Sequence, residues 1–263
     1  MARWTLASVF LVALRSLLIF MYFWMVCWFG VLLSIFRWKN TQNNCTLARA
    51  LGKVVLPIGS LRLKAEGLHH LEEHKPAIYV ANHQSNCDVA VYGSICPTNT
   101  VSIAKASLRW VPVFGYLLEA GGNIMINRAN RDKAISSLDA AVERIKQDGV
   151  SVWVFPEGTR NKKNANKLLP FKKGAFHMAV QAQCPIVPIV ASPYKHLIDF
   201  RKGEWRGGVI HAKVLPPIPT KGMTAADVDS LLERVQQQMG DTLEELIVAA
   251  EQDNVSSNKL SNH

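Results

Sequence analysis

Between Arg15 and Arg37 stand twenty-one consecutive residues without a charge, Ser16 to Phe36. Leu, Phe, Trp, Met and Val fill most of them. A helix of that length can cross a hydrocarbon core of about 30 Å. Trp24, Trp28, Phe29 and Phe36 point in all directions around such a helix, so a soluble core has difficulty covering it. A removable leader does not fit, because the run is too long and lacks a small-x-small end. The segment therefore predicts an N-terminal helical membrane anchor within residues 1–58. A body at 59–251 and a loose polar tail at 252–263 are expected to follow.

Charge sharpens this division. The net charge is +10. Residues 1–60 hold six basic side chains and no acidic one; residues 61–221 hold 22 and 12; the remainder holds two and eight. Arg37, Lys39, Arg49 and Lys53 follow the apolar run, against Arg3 and Arg15 before it. The positive-inside rule then places the body on the cytoplasmic side, expected here at a bacterial inner membrane. Thr46 to Pro57 predicts a second helix, capped by Thr46, with Arg49 and Lys53 one turn apart. Such a helix suits an anionic phospholipid surface. Whether the first helix spans, or pairs with the second in a hairpin dipping into one leaflet, the sequence leaves open. Nucleic acid is not an expected partner, since no motif or aromatic–basic interleaving supports it. Five cysteines without a C-x-x-C fit a reducing compartment, not a disulfide frame or a zinc site.

After Pro57 the pattern becomes α/β. Leu61, Leu63 and Ala65 alternate with Arg62 and Lys64, as in a half-buried strand. Further strands are expected at 78–83, 100–104, 123–128, 151–155, 185–190 and 209–214. Helices are expected at 131–146 and 174–183. Another begins at Thr224, with Asp227 three residues on, and carries an interruption near Gly240-Asp241. Trp110 to Gly115 reads as an apolar turn. The expected fold is one α/β domain, a mixed β-sheet flanked by helices. His70 to His74 matches H-x-x-E-H, a zinc peptidase signature. That chemistry needs a rigid core helix, whereas this segment is a polar connection ending at Lys75-Pro76.

Two junctions carry chemistry. In the first, the apolar run Ile78–Ala81 leads to Asn82-His83, and Asp88 comes five residues after the histidine. Five helical residues turn the direction by about 140°, so one helix cannot bring the two side chains together. Odd spacing puts them on opposite faces of a strand. They meet only across a bend, for which Gln84-Ser85-Asn86 are suited, with Asp88 opening the next helix. The carboxylate could accept one imidazole N–H and leave the other nitrogen as a base. In the second junction, Ser151–Phe155 runs into Pro156-Glu157-Gly158-Thr159-Arg160. Gly158 permits a tight turn, and Arg160 offers a planar charged fork suited to phosphate, which Glu157 could hold. A basic loop with Lys162, Lys163, Lys167, Lys172 and Lys173 follows. Taken singly, each junction is also compatible with ordinary surface polarity or a local ion pair.

Four blocks in order resemble the glycerolipid acyltransferases, over about residues 60–215. Asn82-His83 with Asp88 matches their N-H-x(4)-D, and Phe155–Arg160 is their F-P-E-G-T-R without departure. Gly122–Arg128 and Val187-Pro188-Ile189 resemble the second and fourth blocks. The bacterial members acting on 1-acyl-sn-glycerol-3-phosphate are the most similar group. Cys87 stands where bulky or aromatic residues are common in the family. The resemblance implies that His83 takes the proton from the sn-2 hydroxyl of lysophosphatidate as it attacks an acyl-CoA or acyl carrier protein thioester. Asp88 would orient the imidazole, and Asn82 or turn N–H groups would face the oxyanion. Lys105, Arg128 and Arg160 would gather the phosphate, with Glu157, Gly158 and Thr159 shaping the pocket. No metal or cofactor is implied, because a thioester is already activated. Three rivals stay open: covalent catalysis by Cys87 or Ser85, another lysolipid acceptor, or a lipid-binding protein without turnover.

Overall fold

The computed structural model describes residues 6–162, 165–199 and 204–260; Arg3, Lys163 and residues 261–263 lie outside it. The chain opens with α1 (Leu6–Phe36) and α2 (Gln42–Ile58), followed by β1 (Leu61–Glu66), α3 (His70–Glu73), β2 (Ile78–Ala81) and α4 (Asp88–Val91). Then come β3 (Thr100–Lys105), α5 (Phe114–Ala120), β4 (Ile124–Ile126), α6 (Arg131–Asp148), β5 (Ser151–Val154) and α7 (Gly174–Ala182). It closes with β6 (Ile186–Ala191), β7 (Ile198–Asp199), β8 (Glu204–Trp205), β9 (Gly208–Val214) and α8 (Val228–Leu260).

Seven strands form one mixed sheet in the order β1-β9-β6-β2-β5-β3-β4. The five from β6 to β4 are mutually parallel, and β9 runs against β6 with β1 alongside it. Strand β2 is central. All four of its residues are buried, which is why Ile78-Tyr79-Val80-Ala81 reads as a continuous apolar run instead of an alternating one. Its two faces feed two cores. Ile78 and Val80 pack with Val152, Val154 and the apolar sides of α6, α7 and α8. Tyr79 and Ala81 pack with Trp153, Val187, Ile189 and the inner sides of α2 and α4. Each buried aromatic or branched side chain contributes roughly 1.5–3 kcal/mol of transfer free energy. The parallel strands end together, so the segments after β2, β3, β4 and β5 meet along one edge. In open α/β sheets this is where ligands bind.

The two N-terminal helices form a hairpin. Helix α1 packs along α2: the Tyr22 hydroxyl donates to Ala50 O at 3.0 Å, and Arg15 Nη2 donates to Ser60 Oγ at 3.1 Å. At Gly30 a Cβ would fall 2.7 Å from a Leu47 methyl and 2.9 Å from a Leu117 methyl, so a larger residue would push those side chains aside. Residues Phe10–Phe36 have a mean hydropathy of 2.2 over the best window, long and apolar enough to cross a membrane. The outer face of α1 is nonetheless uncovered, with Phe20, Met25, Trp28, Leu32 and Phe36 exposed.

Several expectations are corrected. Helix α2 begins at Gln42, and Thr46 sits inside it with its hydroxyl on Gln42 O, 2.9 Å away. The turn near Trp110 is confined to residues before Phe114, where α5 begins; Val113 has φ +61, an uncommon value for a β-branched residue. Helix α8 passes through Gly240 without a break, because Met239 and Leu243 are both buried and hold the turn between them. The tail is not loose from Gln252. Asp253 accepts from Lys64 Nζ at 2.5 Å and pairs with His211 Nε2 at 3.0 Å, while Asn254 Oδ1 accepts from Val209 N at 2.8 Å.

Candidate active site

The bend after β2 brings His83 to Asp88. Imidazole Nδ1 lies 2.5 Å from Asp88 Oδ2, an arrangement in which Nδ1 donates to the carboxylate and Nε2 is turned away from it. Asp88 is buried at the N-terminus of α4 with 2 % of its surface exposed. Buried carboxylate oxygens need hydrogen-bond partners. The same Oδ2 also accepts from Gln84 N at 2.8 Å and Ser85 N at 3.1 Å, and Oδ1 accepts from the Tyr194 hydroxyl. The His83 ring stacks on Phe155, centroids 4.1 Å apart and planes 15° from parallel. Histidine direction is thus set from β5 and its tautomer from α4.

Glu157 is buried and holds the bend in place from the neighbouring strand. Its Oε1 accepts from His83 N at 2.8 Å and its Oε2 from Leu169 N at 3.0 Å. Burial raises its pKa above the usual glutamate value, with the two N–H donors opposing. The expectation that Glu157 holds the Arg160 fork is therefore corrected: both carboxylate oxygens are taken by backbone donors. Arg160 reaches Asn86 Oδ1 instead, and Arg128 reaches Gly158 O. Each guanidinium is held by a neutral oxygen. Asn161 N donates to His83 O at 2.8 Å, so the F-P-E-G-T-R loop is tied to the histidine itself. Gly158 has φ +68 and closes its turn with N–H to Phe155 O at 3.0 Å. Thr159 is exposed beside it, and Lys105 is exposed at the end of β3, opposite Ile126 of β4 in register.

Asn82 lies on the sheet side of the bend. It is 2 % exposed, and its amide bonds to the neighbouring strand. Nδ2 donates to Ala191 O at 3.0 Å, and Oδ1 accepts from Ala191 N at 2.9 Å and from the Tyr92 hydroxyl at 2.5 Å. It staples β2 to β6 through one amide proton and the carbonyl oxygen. The turn N–H groups of Gln84 and Ser85 are likewise spent on Asp88. Cys87 is buried, and desolvation pushes its thiol up to about 11, which disfavours the thiolate a covalent route needs. Ser85 Oγ accepts from Cys87 N at 2.9 Å. Among the described residues, His69, His70 and Glu73 bring ligand atoms within 4.8 Å of one another, on a four-residue helix at the surface. His74 of the peptidase-like pattern is not in that group.

Sequence reasoning missed Tyr194 and Tyr92, which bond the two motif residues from afar. Burial raises both phenols well above the usual tyrosine value, so both stay protonated and donate.

The chain is similar to several known proteins. The acyltransferase family profile matches residues 62–192. The chain is 36 % identical over 218 residues to the 1-acyl-sn-glycerol-3-phosphate acyltransferase of Haemophilus influenzae, covering 83 % of this chain and 89 % of that one. It is 36 % identical over 240 residues to the protein of the same description from Saccharomyces cerevisiae, covering 90 % and 79 %. The crystal structure of the 1-acyl-sn-glycerophosphate acyltransferase of Thermotoga maritima superposes with a TM-score of 0.69 at 26 % identity, covering 89 % of this chain and 97 % of that one.

Proposed function

The chain belongs to the acyltransferase family, and from that footing we propose that it moves a fatty acyl group from a thioester donor to the sn-2 hydroxyl of 1-acyl-sn-glycerol-3-phosphate, giving phosphatidic acid. His83 Nε2 takes the hydroxyl proton while the oxygen attacks the thioester carbonyl. The carbon–sulfur bond then breaks, and the imidazolium returns its proton to the departing thiolate. Asp88 keeps Nδ1 protonated and stabilises the imidazolium, as the third member of a Ser-His-Asp triad does, with the substrate in the role of nucleophile. Arg128 and Arg160 hold the phosphate of the acceptor, with Lys105 as a third cation from β3. Acyl-CoA and acyl carrier protein present the same thioester and are both donors in this proposal.

One observation carries the reading: a histidine–carboxylate pair at 2.5 Å stands beside a loop whose arginine rests on a neutral oxygen of the same turn. A guanidinium not spent on a carboxylate keeps its full charge for an anion.

The docked hairpin supports action at a bilayer surface. Because α1 lies along α2 instead of leading away from the body, the proposed placement has α1 lying in one leaflet at the cytoplasmic face of the inner membrane. Trp110, 82 % exposed, and Val111 add exposed apolar surface on the segment after β3. A lysophospholipid could then move in laterally without its chain entering water.

The test incubates purified protein in phospholipid vesicles with labelled acyl-CoA or acyl carrier protein thioester and a panel of lysolipid acceptors. Phosphatidic acid formed only by the chain with His83 intact is the expected result. Turnover confined to a different acceptor, or none with either donor, would refute the assignment.

A further inference from the structure

Asp88 makes more contacts than a simple dyad requires, and their arrangement is unequal. Oδ2 takes His83 Nδ1 and two backbone N–H groups, whereas Oδ1 takes the Tyr194 hydroxyl. Tyr194 lies 106 residues from Asp88 in sequence, on the loop after β6, and two residues beyond the matched family segment. Its ring is 1 % exposed, packed with Tyr79, Tyr92 and Trp153 in the core on the α2 side. Its carbonyl accepts from Leu197 N at 3.0 Å and Ile198 N at 3.2 Å, so the loop that carries it is a closed turn. The hydroxyl stands 3.3 Å from Ser85 Oγ and therefore touches both ends of the bend that holds the histidine.

We propose that Tyr194 is a positioning residue of the acyl-transfer dyad, its phenol O–H fixing Asp88 Oδ1 so that Oδ2 alone faces the imidazole. The inference rests on the acyl-transfer reading above. A carboxylate has two equivalent oxygens and rotates about one bond. With one oxygen held, the imidazole meets a single acceptor in a single direction. Without the phenol, a buried oxygen is left unpaired, and its charge shifts onto the oxygen shared with His83. The more basic carboxylate then retains the imidazole proton more firmly, and fewer molecules hold the free base at a given pH.

The ionisable groups around the carboxylate are His83 on the bend, Cys87 and Tyr92 at the two ends of α4, Glu157 after β5, and Tyr194 itself. Burial keeps Cys87, Tyr92 and Tyr194 protonated through neutral pH, which leaves Glu157 as the competing source of a pH effect.

The experiment uses the full chain in vesicles with acyl-CoA and 1-acyl-sn-glycerol-3-phosphate. Tyr194→Phe keeps the ring and removes the donor. Its kcat is expected to fall roughly 10- to 100-fold, the range of a hydrogen bond to a charged group, with KM for both substrates within about twofold of wild type. The acid limb of its kcat/KM profile moves to higher pH, and the same displacement persists on a Glu157→Gln background. A variant with wild-type kcat and profile would show that the ring only fills space. A fall in kcat with an unmoved profile and a lowered Tm would assign Tyr194 to fold support and overturn the proposal, as would a displacement that vanishes on the Glu157→Gln background. Wild type run alongside separates the two inferences: no turnover there sinks the acyl-transfer reading, not the Tyr194 geometry.

Discussion

In the bend after β2, Asp88 is 2 % exposed and every oxygen it offers is occupied. On the rim formed after β4 and β5, Arg128 is exposed, Arg160 is half-buried, and each guanidinium rests on one neutral oxygen. The bend is finished before any substrate arrives; the rim is not. A proton-transfer pair benefits from being locked, because its geometry must be right at every turnover. A phosphate site benefits from donors still free to swing onto their ligand. The two regions should therefore respond differently to damage, the bend through kcat and the rim through KM.

The largest effect belongs to the bend. His83→Ala removes the base and is expected to lower kcat by roughly 10²–10⁴-fold with an unchanged unfolding transition. A folded variant turning over normally would end the mechanism. Asp88→Asn, which can present an N–H where the imidazole needs an acceptor, is expected to approach the same loss. On the rim, Arg160→Ala should raise KM for the phosphate acceptor by about tenfold, toward the low end for a charged hydrogen bond because the group is solvated. A matching fall in kcat would erase the distinction drawn between the two regions.

Glu157→Gln probes the link between them. Gln cannot accept at both ends, so one of the N–H groups of His83 and Leu169 loses its partner, and kcat is expected to drop several-fold. The pH dependence has a definite sign. Burial raises the carboxyl above its unfolded value, so its stabilising contribution is present at low pH and is lost as pH rises through the folded value. The stability of wild type relative to Glu157→Gln, measured by urea unfolding, should therefore decrease from about pH 4 toward pH 7. The smallest effect is Cys87→Ala. Its thiol is buried and protonated, so turnover should stay within about twofold, and mass spectrometry should detect no acyl-enzyme in either chain.

Much of this was legible in the sequence, for identifiable reasons. The five-residue gap between His83 and Asp88 demanded a bend, and the bend is there. Strand β2 announced its central position by an unbroken apolar run. Asn82 and Glu157 were legible as polar groups at the two junctions, but their backbone partners were not. A sequence names polar groups without saying whether they turn toward substrate or toward a neighbouring strand, and both turn to the backbone. Tyr194 had no local signal at all, since its role depends on the adjacency of β6 and β2, which only the folded sheet supplies. Gly240 looked like a helix break because propensity is local, and the flanking buried Met239 and Leu243 outweigh its cost of about 1 kcal/mol.

The side-on seating of α1 against α2, with Gly30 at the closest approach, has a consequence for where such a chain can work. A helix that crosses a bilayer must match its width, and mismatch costs a fraction of a kcal/mol for each ångström. In the one-leaflet placement proposed above, the helix floats beneath the headgroups, strapped to its own protein, and has no far side to reach. Its immersion depth follows from a single helix diameter of about 10 Å. Thick and thin membranes then look alike to it, and lipid packing at the near surface becomes the property it senses.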